Sequence, residues 1–175
     1  MAGIAEPVTW ISTSLIKNKS ESLVRKSFAN FLEVQIVEDL LLRLEFVLAQ
    51  KSEKRTVAIL TGYTSQKTEL ERRVRGMAHK ISHLNIECNT VDAFQGREAD
   101  IAIYSVTRSN ERGTLGFLSE KRRLNVALSR GKEKLVIVGD HSFCRAVKGP
   151  NPYEVILRHI ESSEGCELKM GEQKT

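Results

Sequence analysis

Two apolar runs of four residues, 57–60 and 135–138, constrain the fold of this chain more than any other feature. Both consist only of Val, Ile, Leu and Ala, and each follows a stretch with helical spacing. Continuous apolar runs of this length are typical of strands buried on both faces of a parallel sheet, whereas half-exposed strands alternate polar and apolar residues. We therefore predict a sheet that is covered by helices on both faces.

The apolar spacing changes between strand and helix patterns along the chain. From 31 to 50, an apolar stripe follows one side of a helix. The predicted strands are 8–14, 57–60, 86–90, 101–106 and 135–138; the predicted helices are 31–50, a segment capped by Thr64 or Ser65 that carries Leu70, Val74, Met77 and Ile81, then 120–130 and 153–161. With loops at 17–22 and 110–119, this order predicts a largely parallel α/β sheet in three layers.

The length of 175 residues suits one domain with a full core and is too short for two ordinary domains. We predict a single domain over 1–175, with its core at about 8–161 and a flexible tail from about 163. No apolar run approaches the roughly 20 residues of a membrane span, and residues 1–16 lack a signal-peptide pattern, so we expect a cytoplasmic location. Three widely spaced cysteines argue against disulfide or zinc frameworks.

Basic residues exceed acidic ones, 27 to 22, and the net charge is +5. They cluster at 51–55, 72–75, 121–123 and 132–134. Such clusters suit a polyanion, because neutralising phosphates releases counterions, but solvated helix faces have the same composition. Charge alone leaves both interpretations open.

In parallel sheets, functional groups gather beyond the carboxyl ends of the strands. The segments 62–66, 92–98, 105–110 and 139–141 are all expected at such ends. There Glu98 could accept ribose hydroxyls or order a water molecule, and Arg130, expected on one helix face with Arg123, could neutralise a transferring phosphoryl group. Alternatively, Glu98 pairs with Arg97 or Arg123, and Arg130 caps its own helix.

A complete phosphate-transfer site also needs a phosphate cradle and metal ligands, and the sequence lacks both. The pattern G-x-x-x-x-G-K-[ST] is absent, since the one Gly-Lys pair, Gly131-Lys132, is followed by Glu133 and preceded by no glycine at the required distance. Asp140 and His141 are adjacent and so cannot face the same way on a strand, and we expect no bound metal. The chain therefore carries half of a nucleotide-hydrolysing site.

The motifs themselves resemble a known family. VDAFQGREADI (91–101) looks like motif V and RRLNVALSRGKEKLVIVGD (122–140) like motif VI of the superfamily 1 helicases, P-loop motors of the AAA type. The nearest branch is that of the nonsense-mediated-decay RNA helicase, whose motif IV resembles LTGYTSQKTEL (60–70) and whose N-x-x-E-x-x-x-V helix start matches Asn30, Glu33 and Val37. The similarity covers about 8–160 and implies a second, C-terminal RecA-like domain whose first domain is missing.

The resemblance implies a role for each matching residue. Arg130 would be an arginine finger that reaches the γ-phosphate of ATP, Glu98 would meet the ribose or phosphate side, Gly96 would allow a close turn, and Gln95 would couple nucleotide to strand movement. Six residues would lie in segments that approach the nucleic-acid backbone: Tyr63, Thr64, Gln66, Ser105, Arg108 and Asn110. The family's second arginine has no counterpart here, and Phe28 or Phe31 would either stack on adenine or lie in the core.

The implied cofactor is ATP with Mg²⁺ in the complete enzyme, with none held tightly by this chain alone. The implied partners are single-stranded RNA or DNA and an N-terminal RecA-like domain. Three hypotheses follow: a second motor domain that is inactive alone, a freestanding nucleic-acid-binding or regulatory module without ATPase activity, and a subunit that assembles with a separately encoded first domain.

Overall fold

A computed structural model describes residues 4–172, without the side chain of Phe117. The strands are β1 (Val8–Ser12), β2 (Ser22–Val24), β3 (Ser27–Ala29), β4 (Arg55–Thr61), β5 (Leu84–Thr90), β6 (Ala99–Ser105), β7 (Gly131–Gly139) and β8 (Cys166–Met170). The α-helices are α1 (Phe31–Lys51), α2 (Thr64–Gly76), α3 (Lys121–Leu128), α4 (His141–Ala146) and α5 (Pro152–Ser162), and short 3-10 helices cover Ala78–Lys80 and Gly116–Ser119.

Six of the strands form one sheet in the order β5-β4-β6-β7-β1-β8, and all neighbouring pairs are parallel. The central strands β4, β6 and β7 contain the apolar runs on which the sequence prediction rests. Helices cover both faces, so the predicted three-layer parallel α/β architecture is confirmed. A separate hairpin of β2 and β3 is antiparallel.

Each face of the sheet has its own hydrophobic core. On one face, α1 and α2 pack over alternate residues of β4, β6 and β7, including Ile59, Ile103 and Val136. On the other face, α3 and α5 cover Leu60 of β4, Tyr104 of β6 and Ile137 of β7. The strands are therefore enclosed on both sides, which explains why their sequences do not alternate.

The long helix α1 begins and ends with clear capping signals. The side chain of Asn30 accepts a hydrogen bond from the Glu33 backbone N–H at 3.1 Å, which satisfies one of the free donors of the first turn. At the other end, Ser52 has φ 53° in the left-handed region, and its N–H bonds to the carbonyl oxygen of Ala49. These caps define where the helix begins and ends.

Several elements differ from the sequence prediction. The tail predicted to be flexible forms β8, which pairs with β1, while residues 173–175 lie outside the described residues. The hairpin β2–β3 and the short helix α4 lie where no element was predicted, and α2 ends at Gly76 before Ile81. Helix α3 ends at Leu128, so Arg130 follows the helix and does not share a face of it with Arg123.

Candidate functional site

The predicted functional segments lie at two opposite edges of the sheet, and the expectation of one common edge is wrong. We call the edge where the strands begin the amino rim and the edge where they end the carboxyl rim. The segment 91–98 leaves β5 at the carboxyl rim, where the Val91 N–H bonds to the Thr61 carbonyl at 3.0 Å. It reaches β6 at the amino rim, where the Ala99 N–H bonds to the Arg130 carbonyl at 3.0 Å. Because β5 and β6 point the same way, the segment between them must return from the carboxyl rim to the amino rim, and here it does so without a helix.

Arg130 lies at the amino rim, directly before β7, and its guanidinium bonds to the chain on either side. Nε donates to the carbonyl of Val126 at 2.8 Å, one Nη donates to the carbonyl of Arg97 at 3.0 Å, and the other donates to Ser129 Oγ at 2.7 Å. The capping interpretation is thus correct, since Val126 belongs to the last turn of α3. Of the five guanidinium N–H groups, these three bonds leave two for an external acceptor.

The backbone next to Arg130 is shaped by Gly131. A β-carbon at Gly131 would clash with the carbonyl oxygen of Lys134, because the β6–β7 pairing shifts register between Ala99 and Ile101. A bulge of this kind re-aims the preceding residue. Gly131 therefore determines the direction of the backbone at Arg130, where the chain enters β7.

Glu98, Gln95 and Gly96 are all exposed in the crossing segment. Glu98 has Lys132 Nζ at 3.9 Å, so it pairs with neither of the arginines considered from the sequence. Gly96 has φ 78°, a left-handed conformation that favours glycine. Gln95 lines a recess of about 250 Å³ with Asp92, Arg122, Arg123 and Glu120.

Two other arginines near the crossing segment are held by carboxylates. Arg97 pairs with Glu87 on β5 and also lies over the Phe94 ring at 4.8 Å. Arg123 lies 3.3 Å from Asp92 and 3.4 Å from Glu120. Arg130 differs from both because its guanidinium is held by carbonyl and hydroxyl oxygens, which leave its positive charge without a paired carboxylate in the described part of the chain.

The amino rim fits one side of a phosphate group and not a whole nucleotide. The two spare N–H groups of Arg130 suit phosphate oxygens, and the exposed carboxylate of Glu98 suits a hydroxyl donor such as ribose. No glycine-rich phosphate loop occurs in the sequence.

At the carboxyl rim, the loop 105–110 is held by three buried carboxyl groups from three different elements. Glu33 of α1 accepts bonds from Ser105 Oγ at 2.5 Å and from the Thr107 N–H at 2.8 Å. Glu21 accepts from the Ser109 N–H and from Arg108 Nε, and Asp140 accepts from Ser109 Oγ at 2.9 Å. Thr107 has φ 72°, so the clamped loop contains a left-handed residue.

The three carboxyl groups differ in their protonation. Burial raises the pKa of Glu33 to about 8, which outweighs its two hydrogen bonds, and its Oε1 has no partner among the described residues. Burial also acts to raise the pKa of Asp140, but hydrogen bonds from Lys19, Ser14, the Phe143 N–H and Ser109 outweigh it and lower that pKa. At neutral pH Glu33 is therefore mostly protonated, whereas Asp140 is ionised.

Four residues form what we call the latch: Glu21, Phe28, Tyr63 and Arg108. Arg108 Nε lies 3.0 Å from Glu21 Oε1, its Nη1 donates to Tyr63 OH at 2.9 Å, and its guanidinium lies over the Phe28 ring at 4.4 Å. The side chains of Arg108 and Glu21 are only 8% and 6% exposed. The latch joins the hairpin β2–β3 to the ends of β4 and β6.

The six residues predicted to approach nucleic acid have unequal access to solvent. Gln66 and Ser105 are fully buried and bonded to each other at 2.8 Å, and Arg108 and Tyr63 belong to the latch. Thr64 is exposed and Asn110 is partly exposed. An open groove of about 710 Å³ passes Asn110 and is lined by Lys19, Ser109, Arg112, Asp140, Phe143 and Lys148, among others.

Sequence reasoning missed Glu21, Asp140 and Phe28 as partners of this loop. Glu33 did carry a signal, because it falls in the N-x-x-E helix start, but that signal does not reveal its bonds to a loop 72 residues away. Phe28 lies in the latch and Phe31 is 47% exposed, so neither side chain lines the amino rim. Among residues 4–172, no cluster of three metal-binding side chains occurs and no helix is long and apolar enough to cross a bilayer.

Comparisons with known proteins agree with the motifs. A family model described as an AAA domain matches residues 3–142. The DNA polymerase alpha-associated DNA helicase A of Saccharomyces cerevisiae is 33% identical over 137 residues, 77% of this chain and 19% of the relative. The regulator of nonsense transcripts 1 homolog of Drosophila melanogaster is 42% identical over 116 residues, 65% of this chain and 10% of the relative.

A third relative, the ATP-dependent helicase NAM7 of Saccharomyces cerevisiae, is 38% identical over 116 residues, 65% of this chain and 12% of the relative. The chain thus spans between 10% and 19% of the length of these three curated relatives. The model match covers well over half of the chain, and the related proteins are helicases or regulators of nonsense transcripts. The chain belongs to the AAA-domain family, in the superfamily 1 helicase branch of the nonsense-mediated-decay type.

Proposed function

We propose that this chain is the second motor domain of an ATP-dependent superfamily 1 helicase or translocase acting on RNA or DNA. Its amino rim would face ATP and Mg²⁺ held mainly by a first RecA-like domain, and its carboxyl rim would face a single strand. The observation that carries the proposal is the meeting of two distant motifs. Arg130 donates to the Arg97 carbonyl at 3.0 Å, and its own carbonyl accepts from the Ala99 N–H at 3.0 Å.

Arg130 would act by electrostatics at the amino rim. Its two spare N–H groups can donate to γ-phosphate oxygens, where negative charge increases during transfer, while its other three bonds fix the direction of the guanidinium. Glu98 would accept a ribose hydroxyl or order a water molecule, Gly96 would allow the turn, and Gln95 would couple the nucleotide to strand movement. These roles need no phosphate cradle in this chain.

The carboxyl rim would meet nucleic acid through its exposed groups and its groove. Thr64 can donate to the backbone directly. Asn110, whose Nδ2 donates to Glu21 and to the Thr114 carbonyl, would help Tyr63, Gln66, Ser105 and Arg108 to position the loops at this rim. Backbone contacts of this type do not distinguish RNA from DNA by sequence. The cytoplasmic location remains a prediction.

The test is the Arg130→Ala variant of the complete enzyme. Loss of an arginine finger lowers ATP turnover by about 10³-fold or more, so kcat should collapse while KM changes little. Because Arg130 also caps α3, thermal unfolding is measured in parallel. The matched control is Arg158→Ala, an exposed arginine on α5 that pairs with Glu154. Unchanged turnover in Arg130→Ala would refute the role.

The isolated chain separates the motor proposal from the alternatives. A second motor domain is expected to show no ATP hydrolysis alone and to regain it when its first domain is supplied, on the same chain or as a separate one. A freestanding nucleic-acid-binding module would bind single strands with no dependence on ATP in any context.

A further inference from the structure

The hairpin β2–β3 stands at the carboxyl rim and is fixed there at its base and along its side. At the base, the Glu21 N–H bonds to the Ser109 carbonyl at 3.1 Å, and the Glu21 carboxylate is held by Arg108 in the latch. Along the side, Ser65 Oγ of α2 donates to the Val24 carbonyl at 2.9 Å, and the Ser65 N–H donates to Ser27 Oγ at 3.3 Å. These hydrogen bonds and the ion pair fix the position of the hairpin on the domain.

Its tip presents an unusual set of side chains to solvent. Leu23 is 68% exposed, and the two turn residues Arg25 and Lys26 are both exposed. No ion pair or side-chain hydrogen bond of Arg25 or Lys26 occurs within residues 4–172. The tip therefore combines two unpaired cations with one apolar side chain.

The backbone conformation of the turn makes arginine an unusual residue at position 25. Arg25 has φ 57°, in the left-handed region where a two-residue hairpin turn normally takes Gly, Asn or Asp. A bulky side chain is unfavourable in that conformation, and nothing in the described structure compensates for it by contacting the guanidinium. A partner outside the chain would account for the cation at this position.

The charge around the tip is of one sign. Residues 13–29 contain Lys17, Lys19, Arg25 and Lys26 and a single acidic residue, Glu21, whose charge is neutralised by Arg108. Lys19 at the base pairs with Asp140 at 2.8 Å and lines the groove of about 710 Å³. The base of the hairpin thus borders the groove, and the tip extends from that base.

We infer that the tip of the β2–β3 hairpin is a contact for single-stranded nucleic acid, in which Arg25 and Lys26 bind phosphates and Leu23 lies against an unpaired base. The inference rests on the proposed function. It commits to a single strand because a duplex conceals the base faces that an exposed leucine would contact. The latch would then hold the hairpin that carries this tip in place beside the groove.

The test measures binding of the 175-residue chain to fluorescein-labelled oligouridylate and oligodeoxythymidylate across a salt titration. The variant is Arg25→Gly with Lys26→Ser, because glycine suits the left-handed turn and keeps the hairpin folded. Loss of two phosphate contacts should weaken binding about tenfold and reduce the salt slope by about 1.4. Leu23→Ser should weaken binding about threefold at an unchanged salt slope.

The matched control removes the same charge at the other rim, with Lys51→Ser at the last residue of α1 and Lys54→Ser just before β4. It should leave affinity and slope close to those of the unaltered chain. If the tip variant binds as the unaltered chain does, the inference is wrong while the proposed function stands. If the unaltered chain binds neither oligonucleotide at low salt, the inference is wrong and the freestanding-module alternative is excluded, whereas the proposed function is decided by the turnover of Arg130→Ala. If labelled polyglutamate binds as tightly as the oligonucleotides and the tip variant weakens both equally, the tip takes acidic polymers generally and the assignment to nucleic acid is wrong.

Discussion

Each rim of the sheet carries an arginine–glutamate pair, and the two pairs differ in their exposure to solvent. At the amino rim, Arg97 pairs with Glu87 while their side chains are 52% and 45% exposed. At the carboxyl rim, Arg108 pairs with Glu21 while both are below 10% exposed. The first pair lies in water and the second is enclosed by aromatic rings. An ion pair alone therefore does not show whether an arginine serves a ligand or the fold. Its burial does, because an exposed charge remains available to a ligand and a buried one stabilises the fold.

The largest expected difference between the rims is in stability. Arg108→Met leaves the buried carboxylate of Glu21 unpaired, which should lower the free energy of unfolding by about 3–5 kcal/mol. Arg97→Met removes an exposed pair and should cost less than about 1 kcal/mol. Urea denaturation of both variants measures the contrast. Adding Glu21→Gln to Arg108→Met should recover part of the loss, and equal losses at the two rims would contradict the assignment.

The second difference is in how the free energy of unfolding changes as pH rises. The pKa of Glu33 in the folded chain is about 8, above its ordinary value of 4.5, so the stability it contributes is fully present below pH 4.5 and is lost as pH rises towards 8. The expected loss is on the order of 3 kcal/mol. Glu33→Gln, an isosteric match for the protonated acid, should remove this dependence. Urea midpoints between pH 5 and 8.5 that fall equally in both proteins would exclude Glu33 as the cause.

The third and smallest difference appears in acid, at the amino rim. Glu45 of α1 accepts hydrogen bonds from His83 Nδ1 at 2.8 Å and from the backbone and hydroxyl of Ser82. Burial acts to raise the pKa of Glu45, but these bonds outweigh it and lower that pKa to about 2. The stability it contributes is present above pH 4.5 and is lost as pH falls towards 2.

Glu45→Gln should therefore cost about 2 kcal/mol at neutral pH and little at pH 2. Acid titration of unfolding measures this directly. A variant that loses the same free energy at both pH values would show that the glutamine disturbs packing and not the ionised hydrogen bonds. Glu33 and Glu45 are thus expected to respond to pH in opposite directions although they lie on one helix.

The sequence predicts those parts of the fold that depend on local pattern. The stripe of α1 and the continuous apolar runs of β4 and β7 identify a parallel sheet with two covered faces, as found. The strand β8 escapes prediction because its half-buried residues gain their partners only by pairing with β1, 158 residues earlier in the chain. The hairpin escapes because its turn contains Arg25 and Lys26 in place of the glycine or asparagine that normally marks one.

The sequence proposes residues for the candidate site, but it does not predict how they are arranged. The motif spacing identifies Arg130 and Glu98, and the structure brings their segments together at one rim. The sequence could not show that 91–98 crosses from one rim to the other, since loop length does not reveal strand order. Nor could it show that Gln66, Ser105 and Arg108 are buried, because that depends on Glu33 and Glu21 arriving from other elements.

Helix α1 connects the two rims mechanically. Glu33 in its first turn bonds to the loop 105–110, and Glu45, twelve residues further on, bonds to the segment before β5. At about 1.5 Å per residue, these anchors are roughly 18 Å apart along the helix axis. A slide of α1 by even part of a turn would break both sets of bonds together, so the helix acts as a rigid spacer. If the two rims meet nucleotide and nucleic acid as proposed, we expect a displacement at the amino rim to move the carboxyl rim by the same amount, with little bending of α1 between them.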